Sequence, residues 1–376
     1  MAELWIPAAF YRGGSSKGVF FHHHDLPADA AVRDRIFLSV IGSPDPYGRQ
    51  LDGMGGGISS LSKVVMIGPP TREDTDVDYT FGQVAVDRPV VDWGANCGNL
   101  SSAVGPFAID EGLVPGPDGE RLVRIHQTNT RKVIHARFQV RDGKAVTAGD
   151  FAIAGVAGTG ARIRLDFLDP GGSVTAGLLP TGNPMDRLAL PGRPPVTVSL
   201  VDATNPVVFV AAADIGLTGT ELPDAIEARP EVMALLDRLR RHAGVLAGLG
   251  GTPGAVPLAN PKVAVVAPPA PFRTLDKRRI GPGDHDVGVR MLSMERAHRA
   301  VTLTGAMCLG VAAGIEGTVV QRLARAPSSD GELRVGNPSG VISVGSTVRF
   351  DGRWIADSAV VFRTARRLMQ GSVAAS

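Results

Sequence analysis

Asn96-Cys97-Gly98-Asn99-Leu100-Ser101-Ser102-Ala103-Val104-Gly105-Pro106-Phe107-Ala108-Ile109-Asp110-Glu111 is the stretch on which the fold turns. The spacing predicts a helix from Asn99 to Glu111. Leu100, Ala103, Val104, Phe107 and Ile109 cover most of its circumference, which is the mark of a helix buried all round rather than laid on a surface. A glycine-containing turn opens it. A second stretch echoes the first. Thr304-Gly305-Ala306 leads into Gly310-Val311-Ala312-Ala313, again an apolar helix of small residues. Two buried helices in one chain suggest two similar domains, each a curved sheet around one helix.

The segments flanking these helices read as strands. Val77, Tyr79 and Phe81 alternate, as do Ile163, Leu165 and Phe167, and then Val196, Val198 and Leu200. Val123–Gln139 reads as two strands joined near Asn129. Val341–Phe350 and Ser358–Phe362 read as closing strands. Leu222–Leu249 reads as a helix pair broken at Pro230, with charge on one side. The fold class expected is α+β, rich in strands and poor in helices.

Composition excludes several alternatives. The 376 residues include 47 glycines and 28 prolines, about one residue in five against a usual one in eight, which implies many tight turns. A hydrophobic share of 44% is too high for a disordered chain. Two cysteines cannot build a disulfide framework, and no Cys-x-x-Cys pair supports a zinc site. The net charge of +2 and the lack of a long Lys/Arg run argue against a nucleic-acid partner. Arg363, Arg366 and Arg367 read as a solvated face. No apolar run approaches the roughly 18 residues of a membrane span, and no leader pattern opens the chain. A cytoplasmic protein with free thiols is expected, with no membrane contact.

Several residues could carry chemistry. Arg12-Gly13-Gly14-Ser15-Ser16-Lys17-Gly18 is a compact anion-binding candidate, because glycines free backbone N–H groups and Arg and Ser add donors. An exposed turn is the alternative. Asp52-Gly53-Met54-Gly55-Gly56-Gly57 lacks the spacing of a dinucleotide fingerprint. It reads either as a close approach of backbone to ligand or as a plain loop. Leu61–Ile67 reads as a strand, and period two puts Lys63 on one face with Leu61, Val65 and Ile67. A buried amine there would serve as a general base, while a lysine reaching out to water is the alternative. Cys97 precedes the first buried helix, where N–H groups and the helix dipole favour a thiolate. Packing as a small apolar residue is its alternative, and is preferred for Cys308. His22, His23 and His24 are chain neighbours that point apart, so they make a poor metal site. His298 stands near Arg290, Glu295 and Arg296 and is a candidate anion contact.

The residues also carry a resemblance. Arg12-Gly-Gly-Ser-Ser-Lys-Gly, Ser43-Pro-Asp-Pro-Tyr-Gly, Asp52-Gly-Met-Gly-Gly-Gly, Ser62-Lys63, Asp76-Val-Asp-Tyr, Asn96-Cys-Gly-Asn and Val104-Gly-Pro-Phe-Ala-Ile-Asp follow in that order. So do Pro180-Thr-Gly-Asn-Pro, Asn205-Pro, Thr218-Gly-Thr-Glu-Leu, Ser293-Met294, His298-Arg-Ala and Pro338-Ser-Gly. Together they resemble the 2-methylaconitate cis-trans isomerase family, which includes 4-oxalomesaconate tautomerases and 3-methylitaconate isomerases. The resemblance runs over nearly the whole chain.

It implies a fold similar to diaminopimelate epimerase, with two related domains around central helices and an active site in the cleft between them. The first domain is then expected at 1–187, completed by a C-terminal strand from 355–376, and the second at 188–354. It implies that no metal or organic cofactor is needed. It implies Lys63 and Cys97 as catalytic groups. Epimerases of this kind use two cysteines, and Thr302 stands where the second would be. Substrate binding is expected at Arg12, Ser15, Ser16, Lys17, Gly55, Gly56, Ser62, Asn96, Gly98, Asn99, His298, Thr304, Gly305, Ser339 and Gly340. The expected substrate is a small unsaturated di- or tricarboxylate. Asp45–Gly48 looks like the methylaconitate isomerases of the methylcitrate cycle of propionate breakdown. Thr304–Cys308 and Asn205-Pro206 look more like the oxalomesaconate enzymes. Other expectations are a homodimer, partnership with an aconitase-like iron–sulfur dehydratase, and a non-catalytic accessory role beside such an enzyme.

Overall fold

Sixteen longer strands carry the architecture of the protein, whose computed structural model describes residues 4–94, 96–293, 296–326 and 331–375. In chain order they begin β1 (Leu4–Gly13), β2 (Ser16–His22), β3 (Lys63–Gly68), β4 (Val77–Val84), β5 (Gly119–Gln127), β6 (Lys132–Arg141), β7 (Ile163–Leu168) and β8 (Asp186–Leu190). They continue β9 (Arg193–Asp202), β10 (Pro206–Ala211), β11 (Lys262–Ala267), β12 (Val287–Ser293), β13 (Glu332–Asn337), β14 (Gly340–Phe350), β15 (Trp354–Arg363) and β16 (Ala365–Ala375). The helices are α1 (Ala30–Ile41), α2 (Ser101–Asp110), α3 (Pro223–Glu227), α4 (Pro230–Leu246), α5 (Leu303–Gly314) and α6 (Val319–Leu323).

The chain forms two units. The first comprises Met1–Phe167 and Phe362–Ser376, the second Leu168–Val361. The division after Phe167 falls earlier than the boundary expected at residue 187. The reason lies in Asp202, whose carboxylate accepts from the backbone of Val174 and Thr175 while its N–H donates to Leu178 O. Those bonds tie the loop after Leu168 to the second unit.

In the first unit the strand order is β16-β1-β2-β3-β4-β5-β6-β7. Successive neighbours run antiparallel, antiparallel, parallel, antiparallel, parallel, antiparallel and antiparallel. In the second unit the order is β8-β9-β10-β11-β12-β13-β14-β15, with the same seven senses in the same sequence. The echo between the two buried helices is therefore a repeated topology. In each unit the central helix, α2 or α5, sits in the crossover between the two strands of the second parallel pair.

Both central helices are buried as their sequences require. Every residue of α2 from Ser101 to Ile109 is buried, and so is every residue of α5 from Gly305 to Ala313. Helix α2 begins two residues later than the apolar pattern suggests, because Gly98–Leu100 form a turn. The outer face of each sheet has its own cover. Ile36, Phe37, Val40 and Ile41 of α1 pack on Val19, Val64 and Met66. Leu235, Leu236, Leu239 and Ala243 of α4 pack on Leu188, Val196, Val263 and Val265. The break at Pro230 falls where expected, since proline opens α4. Helix α1 is not announced by its apolar pattern. Its ends are local: the Asp29 carboxylate caps Val32 N, and Gly42 closes it at φ +78°. No helix among the described residues is long and apolar enough to cross a membrane.

Candidate active site

The turn of the β1–β2 hairpin, Gly14-Ser15, lies against the turn that opens α2. Gly14 has φ +52°, and a Cβ there would stand 2.3 Å from Asn99 Oδ1, so only glycine fits. Asn99 Nδ2 donates to Ser15 Oγ at 3.3 Å, and Asn99 Oδ1 accepts from Arg363 Nε at 3.1 Å. Gly18, two residues into β2, brings Leu100 and Lys63 together. A Cβ there would lie 2.9 Å from both Leu100 Cδ1 and Lys63 O.

Lys63 opens β3. The strand does not reach back to Leu61, because Ser59–Leu61 form a 3-10 turn closed by Ser62 Oγ on Ile58 O. Lys63 is 7% exposed. Its Nζ donates to Gln83 Oε1 at 2.6 Å and stands 4.8 Å from the centre of the Phe81 ring. Register pairs Lys63 with Gln83, and the Gln83 amide donates to Ser59 O and Ser62 O. The amine is thus aimed by a side chain that is itself held.

Cys97 is buried at the start of the same turn. Its carbonyl accepts from Ser101 N at 2.9 Å, Ser101 Oγ at 3.1 Å and Tyr79 Oη at 3.4 Å. Ser101 Oγ also reaches Asn96 Oδ1. Burial pushes the Tyr79 phenol well above its usual range, so it stays a neutral donor. Helix α2 has no side-chain cap. The N–H groups of Gly98, Asn99 and Leu100 have no hydrogen-bond partner among the described residues. An uncapped buried helix start of this kind favours an anion.

Other expected residues hold structure. Arg12 Nη1 donates to Gly14 O and Thr364 O, and its Nη2 to Thr364 Oγ1, so this guanidinium fastens the hairpin to the start of β16. Ser16 is buried at the first pair of the hairpin ladder. Lys17 turns its ammonium over the Phe10 ring. Ser62 Oγ is also held by Gln50. The glycine cluster does make a close backbone approach, but to α1: Met54 N and Gly55 N donate to the carbonyls of Val40 and Ile41. A Cβ on Gly56 would strike Leu61.

In the second unit, Thr302 caps α5, its Oγ1 accepting from Gly305 N at 3.1 Å. Thr304 O accepts from Thr204 Oγ1. His298 Nδ1 accepts from Ala300 N, and burial lowers its pKa. Ser339 Oγ donates to Arg299 O, and Gly340 begins β14 at φ +135°. Thr302 and Thr304 thus lie at the opening of α5, and His298 and Ser339 bond within the 298–300 segment that precedes it. Cys308 is fully buried, donates to Val201 O, and has its pKa raised by desolvation, which makes it an inert packing residue. Of the residues named with His298, Glu295 lies outside those described.

The sequence misses three participants. Gln83 continues the alternation of β4 and could be placed on a face, but its pairing with Lys63 needs the register. Asn129 donates to Phe81 O and Trp93 O and accepts from Phe81 N, fastening β4 to the segment before Cys97. Arg363, expected on a solvated face, is 5% exposed. As the last residue of β15 it is carried inward, onto Asn99.

Comparison with known proteins follows the same lines. The family model described as "PrpF protein" matches residues 3–376. A 3-methylitaconate isomerase of Eubacterium barkeri is 41% identical, covering 99% of this chain and 97% of its own. A 2-methyl-aconitate isomerase of Cupriavidus necator is also 41% identical, with the same coverages of 99% and 97%. A 4-oxalomesaconate tautomerase of Pseudomonas putida is 38% identical over 99% of this chain and 97% of its own. A crystal structure of methylitaconate-delta-isomerase superposes with a TM-score of 0.94 at 41% identity, covering 100% of this chain and 96% of that one. A hydroxyproline epimerase from Agrobacterium vitis, at 14% identity and TM-score 0.50, covers 98% of this chain and 92% of its own and shares the fold alone.

Proposed function

We propose, from the premise that this chain belongs to the PrpF family, that it isomerises 2-methylaconitate between its cis and trans forms. The chain is an isomerase of the kind that acts on methylaconitate, methylitaconate or oxalomesaconate. Within that class, Asp45-Pro-Tyr-Gly favours methylaconitate, and the methylcitrate cycle is the proposed setting. 3-Methylitaconate isomerisation and oxalomesaconate tautomerisation are the competing activities. An accessory role beside an iron–sulfur dehydratase has no support in relatives that are themselves named as isomerising enzymes.

The observation that carries the reading is the buried Lys63 amine fixed by Gln83, on a residue that packs with Leu100, at the uncapped start of α2, around Gly18. In its neutral form the amine has one lone pair and can donate an N–H to Gln83 at the same time. Lys63 takes a proton from the carbon γ to a substrate carboxylate. The C–H electron pair moves into the carbon chain, and the double-bond electrons move onto the carboxylate as a dienolate. The former double bond then has single-bond character and rotates. Return of the proton to the original carbon gives the geometric isomer, and delivery to the far carbon gives a shifted double bond. Cys97 supplies the proton at the far carbon. The N–H groups of Gly98–Leu100 and the Ser15 hydroxyl stabilise the negative charge as it grows. The enzyme is incubated with trans-2-methylaconitate, 3-methylitaconate and 4-oxalomesaconate in D₂O and followed by NMR. Deuterium should enter the allylic positions of methylaconitate faster than those of the other two substrates. Exchange into another of the three at a higher kcat/KM would replace methylaconitate as the substrate.

A further inference from the structure

Arg363 is a buried cation without a counter-ion among the described residues. Two other arginines are as deeply buried, Arg240 and Arg290, both in the second unit. Arg240 is paired with Asp237. Arg290 also lacks a carboxylate partner among the described residues and its Nη2 is unbonded, but at 1% exposed it is closed in by Glu221 O, Val289 O and the Phe272 ring, away from the start of α2. Among the described residues Arg363 is met by two neutral acceptors, Asn99 Oδ1 at 3.1 Å and Phe362 O at 2.8 Å. No carboxylate among the described residues lies within ion-pair distance of it. Burial lowers its pKa to about 10, so it is charged at neutral pH. Two of the five N–H groups of a guanidinium are occupied, and three remain.

The surroundings make the imbalance specific. Asn99 presents its oxygen to Arg363 and its amide N–H to Ser15 Oγ, so it aims both groups. The three partnerless N–H groups at the start of α2 belong to the same turn. The cluster therefore brings several free donors to one turn. Retaining a desolvated charge without a partner costs stability, and a ligand that supplies the partner recovers it. A guanidinium fork fits a carboxylate bidentately, whereas a lysine in its place would not.

We propose that Arg363 is the clamp for one carboxylate of the substrate, with Asn99 as the positioning residue that fixes its fork at the start of α2. The inference rests on the carboxylate substrate proposed above, so its test separates the two. Wild type, Arg363→Met and Arg363→Lys are titrated calorimetrically with tricarballylate, a saturated tricarboxylate that cannot be isomerised. The KM and kcat for trans-2-methylaconitate are measured alongside. Tricarballylate affinity should fall about 10- to 100-fold in the Met variant, the range for a lost charge-assisted pair. KM should rise more than kcat falls. The ligand-free Met variant should melt at or above the wild-type midpoint, because it no longer buries an unpaired charge. A merely structural arginine would give the opposite shift. The Lys variant should keep the wild-type midpoint and still lose affinity, and it carries the test if the Met variant does not fold. Affinity and KM within twofold of wild type, or no tricarboxylate binding by wild type, would overturn the clamp. Arg363-dependent tricarballylate binding without turnover of any of the three substrates leaves the clamp standing and removes the proposed reaction.

Discussion

The two units share one topology and differ at the mouth of their central helix. Strand β3 opens with Lys63 and its counterpart β11 with Lys262, each the first residue of a six-residue strand that runs parallel to its neighbour. The hairpin turn before them holds Gly14 at φ +52° in one unit and Thr204 at φ +64° in the other. Beyond that the likeness ends. Lys63 is enclosed and held by a glutamine side chain, whereas Lys262 is half-buried and donates to Ala259 O within its own loop. Helix α5 is closed by the Thr302 hydroxyl, and α2 is left uncapped. A repeated scaffold thus offers two equivalent places for chemistry. The difference in one cap leaves the start of α2, and not that of α5, without a side-chain partner.

The largest effect that could break this comparison is at the two lysines. Lys63→Ala should cut deuterium exchange and turnover by about 10²- to 10⁴-fold, the range for a general acid–base group. Lys262→Ala should leave them within about twofold, as for a substitution away from the chemistry. NMR in D₂O reads both, and equal losses would mean that the units share the work.

Next comes Cys97. Cys97→Ser should lower the double-bond shift by about 10²-fold while cis–trans isomerisation, which returns the proton to its first carbon, falls less. Comparison of product ratios reads the split. Parallel losses in both products would assign Cys97 to positioning alone.

Gly14→Ala tests the hairpin turn. Left-handed backbone costs alanine about 1 kcal/mol, and Asn99 must also move away, so chemical denaturation should show a loss of about 2 kcal/mol with a raised KM. The counterpart substitution Thr204→Ala loses only a hydroxyl bond to Thr304 O, about 1 kcal/mol, and should leave KM alone.

The smallest effect sharpens the contrast between caps. Thr302→Ala should cost about 1 kcal/mol of stability, the usual worth of an N-cap, without changing the proton chemistry. A loss of turnover larger than this destabilisation explains would return Thr302 to the reacting groups.

Much of the fold is written locally. The apolar circumference of 100–109, the alternation in β4, β7 and β9, and the break at Pro230 come from residues a few positions apart, and their periods carry through to the structure. Lys63 and Cys97 are likewise visible as a lysine at a strand start and a cysteine before a buried helix. Tertiary structure decides how donors are assigned, because that depends on partners remote in sequence. The Gly55 N–H faces the end of α1, so it serves packing. Arg12 reads as an anion donor in its glycine-rich turn, yet Thr364, 352 residues away, takes donors of its guanidinium. Arg363 sits in a run of arginines that suggests a wet surface. It becomes a buried, unpaired charge only because β15 delivers it onto Asn99, 264 residues away. Periodicity is a property of neighbours along the chain. Hydrogen-bond satisfaction and counter-ions are properties of neighbours in space, and no local pattern contains them.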